Sequence, residues 1–151
     1  MGAESEIIIR PPVPARDAGA VAKLLGDLGY PNTPAFAQAK LELLSQSPDD
    51  WVRVAERAGR VVGVGHLHVA ELFHQPGRVG RVMAIVVAAD CRRLGVGRKL
   101  MTSLEALAEQ AGCTKLELTS AAHREDAHAF YDSLGYAEGL RHFVKPIDPS
   151  G

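Results

Sequence analysis

Val79–Lys99 reads V-G-R-V-M-A-I-V-V-A-A-D-C-R-R-L-G-V-G-R-K, and the architecture expected of this chain is built outward from it. The apolar, β-branched run Val82–Val87 gives way to a short polar bend at Ala88–Cys91. Arg92-Arg93-Leu94-Gly95-Val96-Gly97 follows, and then an amphipathic helical pattern. A strand, an anion-binding loop and a helix start thus succeed one another. The first N–H groups of a helix lack intrahelical partners and sit at the positive end of its dipole, so amides around Leu94–Arg98 can converge on a phosphate-like group. Gly95 and Gly97 let the backbone come close. Arg92, Arg93 and Arg98 add cations, which suits a pyrophosphate better than a lone carboxylate.

Two other glycine loops compete for this stretch. A Walker A loop is excluded, because Lys99 is followed by Leu100 and no glycine stands five residues before Gly97. A dinucleotide fingerprint needs a third glycine where Leu100 stands and no polar bend after the strand. Glu117, about 20 residues on, keeps that reading open as a ribose-binding acid.

Arg92, Gly95 and Gly97 fit [QR]-x-x-G-x-[GA], and in this respect the chain resembles the GNAT N-acetyltransferase superfamily at its acetyl-CoA pyrophosphate signature. A second segment, Thr114–Tyr136, strengthens the resemblance. Leu116 and Leu118 alternate with polar residues as in a strand, and Ala127, Phe130, Tyr131 and Leu134 then share one face of a helix over Glu125–Leu134 that stops at Gly135. The string A-x-x-F-Y-x-x-L-G-Y is similar to the last motif of that superfamily. The form T-S-x-x-H-R-x-D-A-H-x-F-Y resembles its aminoalkylphosphonate and small-amine branch.

The resemblance implies an acetyl-CoA-dependent acyltransferase of the acyl-CoA N-acyltransferase fold. That fold is α/β, a mixed and mostly antiparallel sheet of six or seven strands flanked by about four helices. It implies that main-chain groups of Ile85, Val86 and Val87 run beside the pantetheine as an extra β partner. Arg92, Arg93, Leu94, Gly95, Val96, Gly97 and Arg98 would hold the pyrophosphate, with Ala127 and Phe130 also on the CoA side. Tyr131 becomes the general acid for the departing thiolate; by itself it would read as a packed aromatic ring. Many relatives carry asparagine where this chain has Arg124, which could contact CoA or an anionic acceptor, beside its plainer reading as a surface arginine paired with Glu125 or Asp126. A homodimer is a further implication.

The flanks agree in order. Glu6–Arg10 reads as a first strand cut off by prolines, and Ala15–Leu28 as a helix with Ala18, Val21, Leu24, Leu25 and Leu28 inward. Pro34–Gln46 reads as a second helix capped by Asn32 or Thr33, with Phe36, Ala39, Leu43 and Leu44 inward. In the resembling family this connection overlies the acceptor cleft, which makes Tyr30 and Asn32 substrate-side candidates beside their plainer reading as turn residues. Ser47–Asp50 reads as a turn, Trp51–Glu56 and Val61–Leu72 as strands around a hairpin at Arg57-Ala58-Gly59-Arg60, and Tyr136–Ile147 as a final strand or hairpin.

The general base stays open among His66, His68, Glu71, His74 and water. His66-x-His68 with His74 lacks a third metal ligand at a fixed spacing, so no metal is expected. Cys91 beside two arginines invites a lowered pKa, yet direct amine attack needs no acyl-cysteine.

A chain of 151 residues suits a single N-acetyltransferase domain over 1–151. Its net charge of −1 offers no electrostatic footprint for nucleic acid or an anionic membrane. Two cysteines 22 residues apart form no disulfide framework. With no signal pattern at Met1–Glu6 and no apolar run near the ~18 residues of a membrane span, the default is a soluble cytoplasmic protein. The expected partner is a small-molecule amine acceptor. Acetylation of a protein N-terminus or lysine, and a non-catalytic CoA- or nucleotide-binding module, are the alternatives.

Overall fold

The computed structural model describes residues 6–119, 125–139 and 143–148. The elements are β1 (Ile7–Arg10), α1 (Pro14–Asp27), α2 (Pro34–Ser45), β2 (Asp50–Arg57), β3 (Arg60–Glu71), β4 (Arg78–Val87), a 3₁₀ turn (Ala89–Cys91), α3 (Val96–Gln110), β5 (Cys113–Leu118) and α4 (Glu125–Ser133). Contacts divide the chain into two compact units, 1–119 and 120–151. The first holds all five strands and the first three helices; the second holds α4.

The sheet runs β1-β2-β3-β4-β5. Its first three pairings are antiparallel, and β4–β5 is parallel because α3 makes the crossover between them. The α/β class and mixed sheet match expectation, but the sheet among the described residues has five strands rather than six or seven. The difference lies after Gly135. Residues 136–139 and 143–148 form no regular element, and Leu140 and His142, read as part of a last strand, lie outside the described residues. Val144, the one described residue of the expected Leu140-His142-Val144 alternation, is 77% exposed, as are Phe143 (90%) and Ile147 (80%), and an unpaired strand is not stable alone.

Local chemistry explains the element ends. The Phe36 N–H donates to Thr33 Oγ1 at 3.1 Å, and Pro34 follows at the first helical position. Of its residues expected inward, α2 packs Leu44 partly buried against the core, while Ala39, Phe36 and Leu43 stay exposed; its fully buried pair is Ala37 and Leu41. Its short apolar pattern permits several faces, and packing against α1 and β2 selects one. Between β2 and β3, Ala58 (φ 52°) and Gly59 (φ 76°) both have positive φ, the type I′ geometry that matches strand twist.

α3 covers one face of the sheet with Leu100, Met101 and Leu104, all fully buried, and meets Leu67 from β3. Gly80 of β4 leaves room for this layer: a Cβ there would lie 3.3 Å from Ala108 Cβ of α3 and 2.8 Å from Leu116 Cδ1 of β5. α1 and α2 cover the other face, over Val54, Val64 and Val86. Arg10 ties β1 to α1 through a two-pronged bond to Asp17 (2.8 and 3.1 Å) and donates to Glu56 of β2 at 3.0 Å. Asp17 also accepts from the Val13 N–H at 2.7 Å, and these donors hold its carboxyl below the ordinary range against the effect of burial.

Candidate active site

Register is what opens the site. β5 pairs with β4 only from Arg78 to Val82, whereas β3 pairs with β4 as far as Val87. Beyond Val82 one edge of β4 therefore has no strand beside it among the described residues. Just there the β3–β4 register shifts: His66 faces Ala84 and Leu67 faces Val82, which leaves Met83 as the extra residue. Such a bulge bends the strand and re-aims its amides. Met83 is 54% exposed on this edge. Ile85, Val86 and Val87 continue it, with Val86 buried in the core and the other two half-buried.

The edge leads into the anion loop. Arg92 is extended, Arg93 takes φ 67° and Gly95 φ 88°, and α3 starts at Val96 with no side-chain cap on its first N–H groups. A Cβ at Gly95 would meet nothing within 4 Å, so the space over the helix start is open. Val96 anchors the start from beneath, 1% exposed, while Leu94 is 46% exposed and Gly97 half-buried. Arg92, Arg93 and Arg98 are exposed and no ion pair holds any of them among the described residues; Lys99 instead reaches the Ile7 carbonyl at 3.4 Å. The nearby acid, Asp90, is held in a two-pronged bond by Arg60 at 2.9 and 3.1 Å, whose hydrogen bonds lower its pKa. Its charge is thereby neutralised where an anion would approach. Cys91 is buried beneath the turn and packs as core.

In the second unit, Ala127, Phe130, Tyr131 and Leu134 line one partly buried face of α4, as their spacing requires. The Tyr131 ring meets Phe130 and Tyr136 edge-on, with centroids 5.1 and 6.1 Å away. The helix closes with Tyr136 N–H on the Tyr131 carbonyl and Gly135 N–H on that of Asp132. Burial pushes the Tyr131 phenol up, so it stays protonated at neutral pH. Arg124 lies outside the described residues.

The base candidates separate sharply. Glu71 and His74 are exposed at the Arg78 end of β4, roughly 16 Å along the strand from the Met83 bulge at ~3.3 Å per residue. His66 and His68 lie on β3 opposite Ala84 and Arg81. His66 Nε2 and His68 Nδ1 both meet Asp50 Oδ1, at 2.7 and 3.0 Å, and Ser47 Oγ donates to Asp50 Oδ2 at 2.7 Å. Asp50 begins β2 rather than ending the preceding turn, and its place beside the histidines depends on antiparallel register. No local sequence signal marks it. Asn32 Nδ2 donates to the Tyr30 carbonyl at 2.8 Å, in keeping with the turn reading, and Tyr30 is 69% exposed. Glu117 is engaged by Arg81, and a sheet with one parallel pair is not the doubly wound sheet of a dinucleotide fold.

Among the described residues no three His, Cys, Asp or Glu side chains are placed to hold a metal ion, and no helix is long and apolar enough to cross a membrane.

A five-stranded sheet that opens beside β4 and feeds an uncapped, arginine-lined helix start matches the architecture that the two sequence motifs imply. Residues 22–136 match the model of the acetyltransferase (GNAT) family, and the chain belongs to that family. It is 34% identical over 100 residues to the aminoalkylphosphonate N-acetyltransferase of Salmonella typhimurium, across 66% of this chain and 65% of that protein. To N-alpha-acetyltransferase 80 of Mus musculus it is 40% identical over 78 residues, across 52% of this chain and 23% of that one. The chain thus spans less than two thirds of the length of either relative. A solved aminoglycoside N-acetyltransferase in complex with CoA shares the fold, with a TM-score of 0.82 at 16% identity, over 94% of this chain and 95% of that one.

Proposed function

We propose that this chain, acting as one domain, moves the acetyl group of acetyl-CoA to the primary amine of a small molecule by direct attack. The observation that carries it is the unpaired β4 edge running into the open, uncapped start of α3, with three unpaired arginines around it. The CoA complex of the aminoglycoside enzyme and the name of the Salmonella relative support the donor and the acceptor class.

Amides of Leu94–Arg98, with Arg92, Arg93 and Arg98, hold the pyrophosphate, and the edge of Ile85–Val87 pairs with the pantetheine. A backbone amide steadies the carbonyl oxygen as charge develops on it, and the bulge at Met83, which re-aims nearby amides, supports that role. Tyr131 returns a proton to the thiolate; the motif and its protonated phenol support that role. Ala127 and Phe130 support it from the same helical face, and Arg124 keeps all its readings. The family resemblance supports a homodimer.

The test is thiol release from acetyl-CoA against 2-aminoethylphosphonate, spermidine, an aminoglycoside and a peptide with a free N-terminus. Turnover with a small amine, reduced about 10²-fold or more in Tyr131→Phe with acetyl-CoA affinity unchanged, is expected. Turnover with the peptide alone moves the acceptor to proteins. Failure to bind acetyl-CoA overturns the reading.

A further inference from the structure

We propose that His66 is the group that takes the proton from the acceptor amine, and that Asp50 is its positioning residue. The inference rests on the acetyl-transfer reading and adds the acid–base residue which that reading lacks.

Asp50 is the hub. Its side chain is 12% exposed, and it accepts from His66, His68 and Ser47 at once. Burial favours the neutral acid, but those three donors prevail and hold the carboxyl below its ordinary range. An ionised carboxylate has only acceptors, so both imidazoles must donate to it. His66 is thereby fixed as the Nε2–H tautomer with its lone pair on Nδ1, and His68 as the Nδ1–H tautomer with its lone pair on Nε2. Any imidazole bound to an ionised carboxylate is held in this way, so position rather than tautomer selects the base.

Position separates the two. His66 faces Ala84, immediately beyond the last β4–β5 pair, one strand from the open edge. Adjacent strands lie ~4.8 Å apart, so a chain paired on the open edge of β4 would run about 10 Å from β3, a gap that the acceptor amine and bridging water can fill. His68 faces Arg81, where β5 still pairs. The exposures agree: His66 is 21% exposed, shielded but reachable, and His68 is 43% exposed. The other charges around this face are Arg81 of β4, paired with Glu117 of β5, and Asp17 of α1, held by Arg10. None is hydrogen-bonded to His66.

The balance is simple. An ammonium N–H gives its proton to His66 Nδ1, directly or through water. The nitrogen lone pair forms the C–N bond, the C–S bond breaks, and the sulfur takes its proton from Tyr131; the second nitrogen proton passes through water to the tyrosinate, so the amide is neutral, the phenol is restored and one net proton stays on His66. The imidazolium so formed faces the Asp50 carboxylate.

The experiment compares wild type, His66→Gln, His68→Gln and Asp50→Asn by thiol release with the same amines between about pH 6 and 9. Acetyl-CoA affinity by calorimetry and the His66 tautomer by ¹⁵N NMR are read beside it. For His66→Gln, kcat falls about 10²-fold or more at neutral pH and recovers toward the amine's own pKa of about 10, while acetyl-CoA Kd stays within about twofold. Asp50→Asn loses about tenfold and moves the acidic limb of the profile; His68→Gln stays near wild type. Ser47→Ala, which keeps both histidine bonds, shifts the limb slightly and covers the case in which Asp50→Asn does not fold. Wild-type kcat in His66→Gln, an Nδ1–H tautomer, or a chain that holds acetyl-CoA and acetylates none of these amines overturns the assignment. Loss of acetyl-CoA binding in wild type brings down the acetyl-transfer reading instead.

Discussion

Gly95 starts the helix on which the proposed pyrophosphate site rests. Its φ of 88° lies where a side chain costs ~1–2 kcal/mol, although a Cβ there would touch nothing. Gly95→Ala therefore acts through the backbone. Stability should fall by about 1 kcal/mol and acetyl-CoA affinity by about tenfold, as the first amides of α3 turn away; calorimetry and a thermal melt check the two. Asp17 is the opposite case, structural and remote from the loop. Its folded pKa lies below the ordinary value, through the Arg10 bond first, so its contribution is present above about pH 4 and is lost as pH falls through the folded value. Asp17→Asn should cost about 2–3 kcal/mol at pH 7, less than a wholly buried pair because Arg10 is 19% exposed. Urea melts should show the gap to wild type closing below about pH 4. The glycine was legible from its motif. The aspartate hub at Asp50 was not, because it is the register of β2 against β3, and no spacing along the chain, that brings it to His66 and His68.

Among the elements, the β2–β3 hairpin holds a correctable strain. Ala58 occupies a positive φ in a type I′ turn, where asparagine is preferred. Ala58→Asn should add about 0.5–1 kcal/mol, raising Tm by about 2–3 °C without touching activity. β4 is the element on which the site depends. Periodicity located it, yet its working feature is where its neighbours stop. The β5 pairing ends at Val82, and the bulge in the β3–β4 pair leaves Met83 unmatched. α2 shows the same limit in reverse: its apolar residues allowed several faces, and contact with α1 and β2 chose Ala37 and Leu41.

For the whole molecule, ligand linkage is the direct measure. A chain that binds acetyl-CoA only when folded should gain about 2.7 kcal/mol at a hundredfold excess over Kd, a rise in Tm that NAD does not reproduce. On the proposed reading, in which exposed Arg92, Arg93 and Arg98 attract the pyrophosphate, raised salt should weaken that gain. What the linear chain determined by itself was local: the strand-loop-helix of Val79–Lys99, the α4 face bearing Tyr131, the order of elements and the family. Each depends on residues within a few turns of one another, so spacing and propensity suffice. Tertiary structure alone decided the open edge of β4, the bulge at Met83 and the carboxylate shared by His66 and His68. Each is a pairing between segments distant in sequence, and only the register in which strands hydrogen-bond determines which of their side chains meet.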